Sequence, residues 1–360
     1  MITVSKTYLP TIHEHISQLE KIWRSGYITN NGPLSRQLSD DLKNYLGVSN
    51  LMLVANGTLA LQLAIKSLGL QGEIITTPYS YVATTNSILW EGCEPFFVDI
   101  EDQTFCINPD LIEPAITEKT SAILATHVYG YPCDVARIQR IADKHNLKVI
   151  YDAAHAFGVT LSGETILAYG DCSALSFHAT KLFHTAEGGA VVCKDIEVSN
   201  RVYLMKKFGH IGEEDYLDVG INAKMSELQA AMGLCILPKV QDIIAYQKEC
   251  SGWYDEQLRG CPLRRPAAPA GLEYNYSYYP VIFASHDVMM RVRKTLIDND
   301  IGPRRYFYPS LNTLPFLKPE LKRACPVSEN ISECVLCLPL YVGLQRLEVE
   351  NICNLILQAI

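Results

Sequence analysis

The sequence predicts an α/β protein, a mostly parallel sheet with helices on both faces, followed by a smaller C-terminal α+β domain. Three observations predict it. Between residue 50 and about residue 195, short β-rich runs (LMLVA, EIITT, PFFVDI, SAILATHV, KVIYD, SALSF and AVVCK) alternate with stretches of helical periodicity, as β-α-β units do. The runs are nearly continuous in apolar residues, which strands need when helices cover both faces of their sheet. Beyond Gly220 the text changes to long helical patterns, a Pro/Ala-rich linker and a second set of strands.

In open sheets of this kind, ligands bind outside the carboxyl ends of the strands. The strand ends are therefore where functional residues are expected. The first strand leads through Asn56, Gly57 and Thr58 straight into the helical pattern TLALQLAIKSLG. Free N–H groups at a helix start, with a hydroxyl alongside, favour a phosphate, so Gly57 and Thr58 are candidate ligands and Ser176, at the end of SALSF, is a third. An ordinary capped turn has the same pattern. The loop TTPYSYVATTNS puts Tyr79 and Tyr81 before another helix, and an aromatic ring there can stack on a flat ligand; Tyr81 is the candidate.

The run KVIY ends on Asp152, with His155 three positions on, and SALSF is followed by His178, Thr180 and Lys181. The glycine pair in EGGA then opens the next strand and permits close backbone approach. An amine and a carboxylate at neighbouring strand ends are what pyridoxal 5'-phosphate (PLP) chemistry requires. Lysine forms the Schiff base, and the acid keeps the pyridine nitrogen protonated. Burial is expected to depress the pKa of Lys181 and make it a competent base. His155 is a candidate to reach the cofactor ring or its phenolic oxygen, and a hydrogen-bonded histidine near a helix start has the same pattern.

After the sheet, KMSELQAAMGLCILPKVQDIIAYQKECSGWYDEQLRG has helical spacing, with Pro238 as its kink or break. A large cofactor-binding domain over residues 1–237 and a small domain over residues 238–360 are expected. CPLRRPAAPAG is the linker, and YSYYPVIF opens the second set of strands.

Composition narrows the function classes. A chain of 360 residues, 48% hydrophobic and 19% charged, suits a globular enzyme. A net charge of -8 leaves no basic footprint for nucleic acid. The first residues lack a basic segment followed by an apolar core, so no membrane association and a cytoplasmic location are expected. The twelve cysteines are scattered through apolar elements, which reads as reduced core thiols; the CxxC of Cys334 and Cys337 has no second pair to complete a zinc site. No GxGxxG follows an early strand, which argues against a nicotinamide-dependent enzyme.

The motifs together resemble the DegT/StrS-type nucleotide-sugar aminotransferases of the type I aminotransferase fold. The likeness spans nearly the whole chain: GYITNNGPLSRQL, NGTLAL, TPYSYVAT, HVYGYPCD, YDAAHAFG, SFHATK, EGGAVV, GINAKMSELQAAMG, IGPRRYFYP and LPLYVGL. It implies that Lys181 binds PLP covalently, that Asp152 pairs with the pyridine nitrogen, that Tyr81 stacks on the ring, and that Gly57, Thr58 and Ser176 hold the phosphate. It implies further that Asn222 reaches the phosphate of a second subunit, making a homodimer with shared sites. Relatives that replace the lysine with histidine remove oxygen from sugars, and Lys181 disfavours that branch. His155, where many relatives have glutamine, resembles members that aminate C-4. Arg304, Arg305 and Tyr308 are candidate contacts for a nucleotide-linked ketosugar, although Lys224 and Asn312 stand where relatives often carry arginine and histidine. The chain looks most like members that make dTDP-4-amino-4,6-dideoxyglucose for surface polysaccharide, with L-glutamate as amino donor. The alternatives are a C-3 aminotransferase, an enzyme for a UDP- or GDP-linked ketosugar, and a PLP-binding regulatory protein without turnover.

Overall fold

The computed structural model describes residues 1–360. All the β-rich runs are strands of one seven-stranded sheet: β1 (Leu51–Val54), β2 (Glu73–Thr76), β3 (Glu94–Phe97), β4 (Thr120–Thr126), β5 (Lys148–Asp152), β6 (Cys172–Ser176) and β7 (Gly189–Cys193). Their order across the sheet is β1-β7-β6-β5-β4-β2-β3. Neighbours are parallel except at β7, which runs antiparallel to both β1 and β6.

The apolar strands do bury both faces. Ile74, Ala122, Leu124 and Ile150 enter one core, whereas Ile75, Ile123, Ala125 and Val149 enter the core on the opposite face. Helix α1 (Gly57–Ser67) covers the first face with Ala60, Leu61, Ala64 and Ile65. Its start is fixed by Asn56, whose backbone is extended and whose side-chain oxygen accepts the Leu59 N–H at 2.9 Å. Helix α2 (Val82–Trp90) begins directly after Tyr81.

The long helical pattern is two helices, Glu227–Ile236 and Val240–Gln257, broken by a 3-10 turn over Leu237–Lys239 that contains Pro238. The run Glu227–Gln257 has the length and apolar composition of a membrane span, with a mean hydropathy of 1.2. Its Ala230, Ala231, Ile236, Val240 and Ile243 are instead committed to the protein core.

Toward the C-terminus, strand Tyr279–Ile282 pairs antiparallel with Val335–Leu338. Helices His286–Asp298 and Arg346–Ala359 pack on this pair, together with Cys250 and Tyr254. The amino-terminal Ile2–Thr3 pairs in parallel with Ile301–Gly302, stitching the start of the chain to this C-terminal body. Every cysteine is a free thiol, and Cys334 and Cys337 are both buried.

Candidate active site

A cavity opens at the carboxyl ends of the parallel strands. Gly57, Thr58, Tyr81, Asp152, His155, Ser176, Lys181 and Arg304 all line it. The strand order explains the convergence: β5 and β6 are adjacent, so Asp152 ends one strand beside the strand that leads to Lys181, and β7 brings Gly189 back against Ser176.

Asp152 is buried. Its Oδ2 accepts the Thr84 hydroxyl at 2.7 Å and its Oδ1 accepts the Ala154 N–H at 3.1 Å. Burial pushes its pKa up, opposed by these two donors and by the Lys181 charge. Lys181 is held by a tight turn, its N–H donating to the His178 carbonyl at 2.8 Å. Its Nζ donates to the Tyr278 hydroxyl at 3.3 Å. Burial is the main cause that lowers the Lys181 pKa to about 8; Asp152 works against the shift and the Arg304 cation adds to it. His155 is also buried, and burial holds its pKa well below the ordinary histidine value. The imidazole is therefore neutral. It stacks on Phe307 at 5.3 Å, and its Nδ1 has no hydrogen-bond partner.

These residues fit PLP. The N–H groups of Gly57 and Thr58 belong to the first turn of α1, where no intrahelical acceptor exists, and they line the cavity with Ser176. Gly57 leaves the space that this approach needs: a Cβ there would stand 2.8 Å from Ser176 Cβ. Tyr81, at the N-cap position of α2, keeps an exposed ring at the cavity wall.

Three expected residues are not brought into the cavity. Arg305 turns the other way: its Nη2 donates to Glu333 at 2.7 Å and its guanidinium lies 3.3 Å from the centre of the Tyr308 ring. Arg305 thus engages both Glu333 and Tyr308, and Arg304 is the arginine of the pair that lines the cavity. Asn222 is exposed on the outer surface, bridged through its backbone to Lys207. Asn312 is saturated by Arg323, Glu329 and Ser310, so it faces no ligand. Lys224 lies over the Phe208 ring.

Other cavity-side residues escaped sequence reasoning. Thr84 and Ser80 stand in the very loop quoted for Tyr81, and their signal was only a density of hydroxyls. Tyr278 and Phe307 come from far along the chain; both stand in the runs YSYYPVIF and IGPRRYFYP, but nothing in those runs aims either ring at this cavity.

A lysine and a buried carboxylate at the carboxyl ends of a mostly parallel sheet, facing an open helix N-terminus, define the type I aminotransferase class. Sequence comparison gives the family. The chain matches the profile of the DegT/DnrJ/EryC1/StrS aminotransferase family over residues 11–357 and belongs to that family. It is 41% identical to a dTDP-4-amino-4,6-dideoxy-D-glucose transaminase of Shigella dysenteriae, covering 99% of this chain and 98% of the relative. A protein of the same name from Escherichia coli is 39% identical over the same shares. Among solved structures, DesI, crystallised in the presence of its TDP-sugar product, superposes with a TM-score of 0.94 at 30% identity, covering 99% of this chain and 92% of DesI. This chain is an aminotransferase of a PLP-dependent family.

Proposed function

We propose that this protein moves the amino group of L-glutamate to C-4 of dTDP-4-keto-6-deoxy-D-glucose, giving dTDP-4-amino-4,6-dideoxy-D-glucose, with PLP seated in the cavity. One observation carries the chemistry: Lys181 and Asp152 share a buried cavity with the open N-terminus of α1. The choice of sugar and of C-4 is supported by the names of the relatives at 41% and 39% identity.

When bound, PLP supplies an aldehyde that takes up amino groups and a ring that accepts the electron pair left as a C–H bond breaks. The protein does the rest. Lys181 Nζ would hold the cofactor and, once released, would take the proton from the donor's α-carbon and pass it to the cofactor as glutamate leaves as 2-oxoglutarate; in the second half-reaction it would carry a proton back to C-4 of the sugar. A pKa of about 8 leaves about a tenth of this amine neutral and able to act as a base at pH 7. The Asp152 carboxylate holds the proton of the ring nitrogen. Gly57, Thr58 and Ser176 bind the phosphate, where the positive end of α1 complements its charge. Tyr81 offers the stacking face, and neutral His155 places no competing charge beside the ring. Arg304 meets the diphosphate of the nucleotide sugar.

In this reading the protein is a cytoplasmic homodimer in which Asn222 of each subunit completes the other's phosphate site, with the domain boundary between residues 237 and 238. The product feeds surface polysaccharide such as O-antigen. The test is incubation of purified protein with PLP, L-glutamate and, separately, the dTDP-4-keto, dTDP-3-keto, UDP- and GDP-linked ketosugars, with products read by NMR. A new C-4 amine on the dTDP-4-keto sugar is expected. Amination only at C-3, or only of a UDP or GDP sugar, overturns the substrate; no product with any of them overturns the activity.

A further inference from the structure

Asp152 is not an isolated acid. Thr126 ends β4 and is the register partner of Asp152 at the end of β5, so both residues stand at the same edge of the sheet. Ser80, in the loop after β2, and Thr84, in the first turn of α2, close the gap between them. Thr126 Oγ1 donates to Ser80 Oγ at 2.9 Å, Ser80 Oγ meets Thr84 Oγ1 at 2.7 Å, and Thr84 Oγ1 donates to Asp152 Oδ2 at 2.7 Å. All three hydroxyl residues are buried.

The direction of this chain is forced. A carboxylate only accepts and a hydroxyl has one proton. Thr84 spends its proton on Asp152, so Ser80 must donate to Thr84 and Thr126 to Ser80. Every dipole then points its positive end toward Asp152. With a proton on Oδ2 the chain would have to reverse, and Thr126 would lose Ser80 as the acceptor of its hydroxyl. The chain thus keeps the proton off Oδ2 and favours the ionised acid through a charge-assisted donor, and hydrogen bonds in such a chain strengthen one another.

We propose that Thr84, Ser80 and Thr126 are positioning residues that hold Asp152 as an oriented carboxylate, so that it retains the proton on the pyridine nitrogen of bound PLP. The inference rests on the PLP reading given above. It adds three residues that act on the cofactor through Asp152.

Two variants of Thr84 separate hydroxyl from packing. Thr84→Val keeps the shape and removes the donor; Thr84→Ser keeps the donor and removes a methyl group. Each protein is loaded with PLP labelled with nitrogen-15 in the ring, and the ring-nitrogen NMR shift, the PLP dissociation constant, kcat and KM are measured. The wild type is expected to show a protonated ring nitrogen. In Thr84→Val the shift moves toward the unprotonated value and kcat falls about 10- to 100-fold, the worth of one hydrogen bond to a charged group; KM for glutamate stays within about twofold, and Thr84→Ser restores most of the loss. Ser80→Ala is expected to shift the ring signal in the same direction by less. If the wild-type ring is protonated and Thr84→Val gives the same shift and kcat, the positioning role is wrong while the PLP reading stands. A larger loss in Thr84→Ser than in Thr84→Val assigns the residue to packing and also overturns it. A wild type that binds no labelled PLP removes the underlying reading, and this inference with it.

Discussion

Lys181 donates to the hydroxyl of Tyr278 across 3.3 Å, a contact between residues 97 positions apart. Tyr278 follows the linker and directly precedes the strand Tyr279–Ile282 of the C-terminal body, so the amine of the large sheet is steadied by the other part of the chain. A neutral hydroxyl accepting from an ammonium favours its charged form. Burial acts in the opposite sense and dominates, bringing Lys181 to about 8.

Capture of PLP by cofactor-free protein should therefore rise with pH with a midpoint near the Lys181 value of about 8, because only the neutral amine attacks an aldehyde. Stopped-flow absorbance measures it. In Tyr278→Phe the charged form loses its acceptor and the midpoint falls further. The same shift has a stability consequence. The folded value of about 8 lies below the ordinary lysine value of 10.5, so the cost of burying the ammonium is present in full below pH 8. It is relieved as pH rises from 8 to 10.5, where the unfolded chain binds the extra proton. The melting-temperature difference between wild type and Lys181→Met, both without cofactor, should change across that window and stay flat below it.

Gly57→Ala probes the phosphate cradle. Its Cβ would stand 2.8 Å from Ser176 Cβ, so α1 must move off β6 and its N–H groups with it. PLP affinity is expected to fall by about tenfold as the N–H groups shift, and the melting temperature without cofactor to fall by a few degrees, since overpacking costs about 1–3 kcal/mol of stability. Ser176→Gly in the same chain removes the clashing atom and should recover part of the affinity lost to the steric term. Equilibrium titration of PLP fluorescence reads all three proteins, and unchanged affinity in Gly57→Ala would show that the cradle lies elsewhere.

How much of this was legible in the sequence follows from burial. The seven strands were readable because a sheet covered on both faces needs unbroken apolar runs, and Asp152 and Lys181 because their chemistry requires a strand end. The antiparallel direction of β7 was hidden, since AVVCK has the same apolar character whichever way it runs. Thr126 and Ser80 were invisible as well, because only the register of β4 on β5 turns common hydroxyls into a chain. Arg304 and Arg305 could not be told apart for a related reason: neighbours beside a β-bridge point to opposite sides, and the bridge of Arg304 to Cys337 is a tertiary fact.

That last distinction is testable. Arg304→Ala should raise KM for the nucleotide sugar by about tenfold, the loss of one charge-assisted contact, with little change in melting temperature. Arg305→Ala should do the reverse. It removes the Glu333 ion pair and the stack on Tyr308 and should cost about 1–2 kcal/mol of stability with KM unchanged. Steady-state kinetics and thermal melts of the two variants form a crossed design, and a KM effect from Arg305→Ala would return that residue to the substrate site.

Subunit mixing tests the shared site. Asn222 is exposed and outside its own cavity, so in the proposed dimer it acts only on its neighbour. Lys181→Ala and Asn222→Ala should each give weakly active homodimers. In a hybrid dimer, the subunit that keeps Lys181 faces a partner that keeps Asn222, and one of its two sites is whole. Random exchange of equal amounts makes half the dimers hybrids, so the mixture should recover about a quarter of wild-type activity. If each Asn222 instead served its own subunit, no combination would contain an intact site and mixing would restore nothing. Recovery near a quarter, measured after exchange has been verified by mass, therefore requires that the lysine and the asparagine of one working site come from different chains.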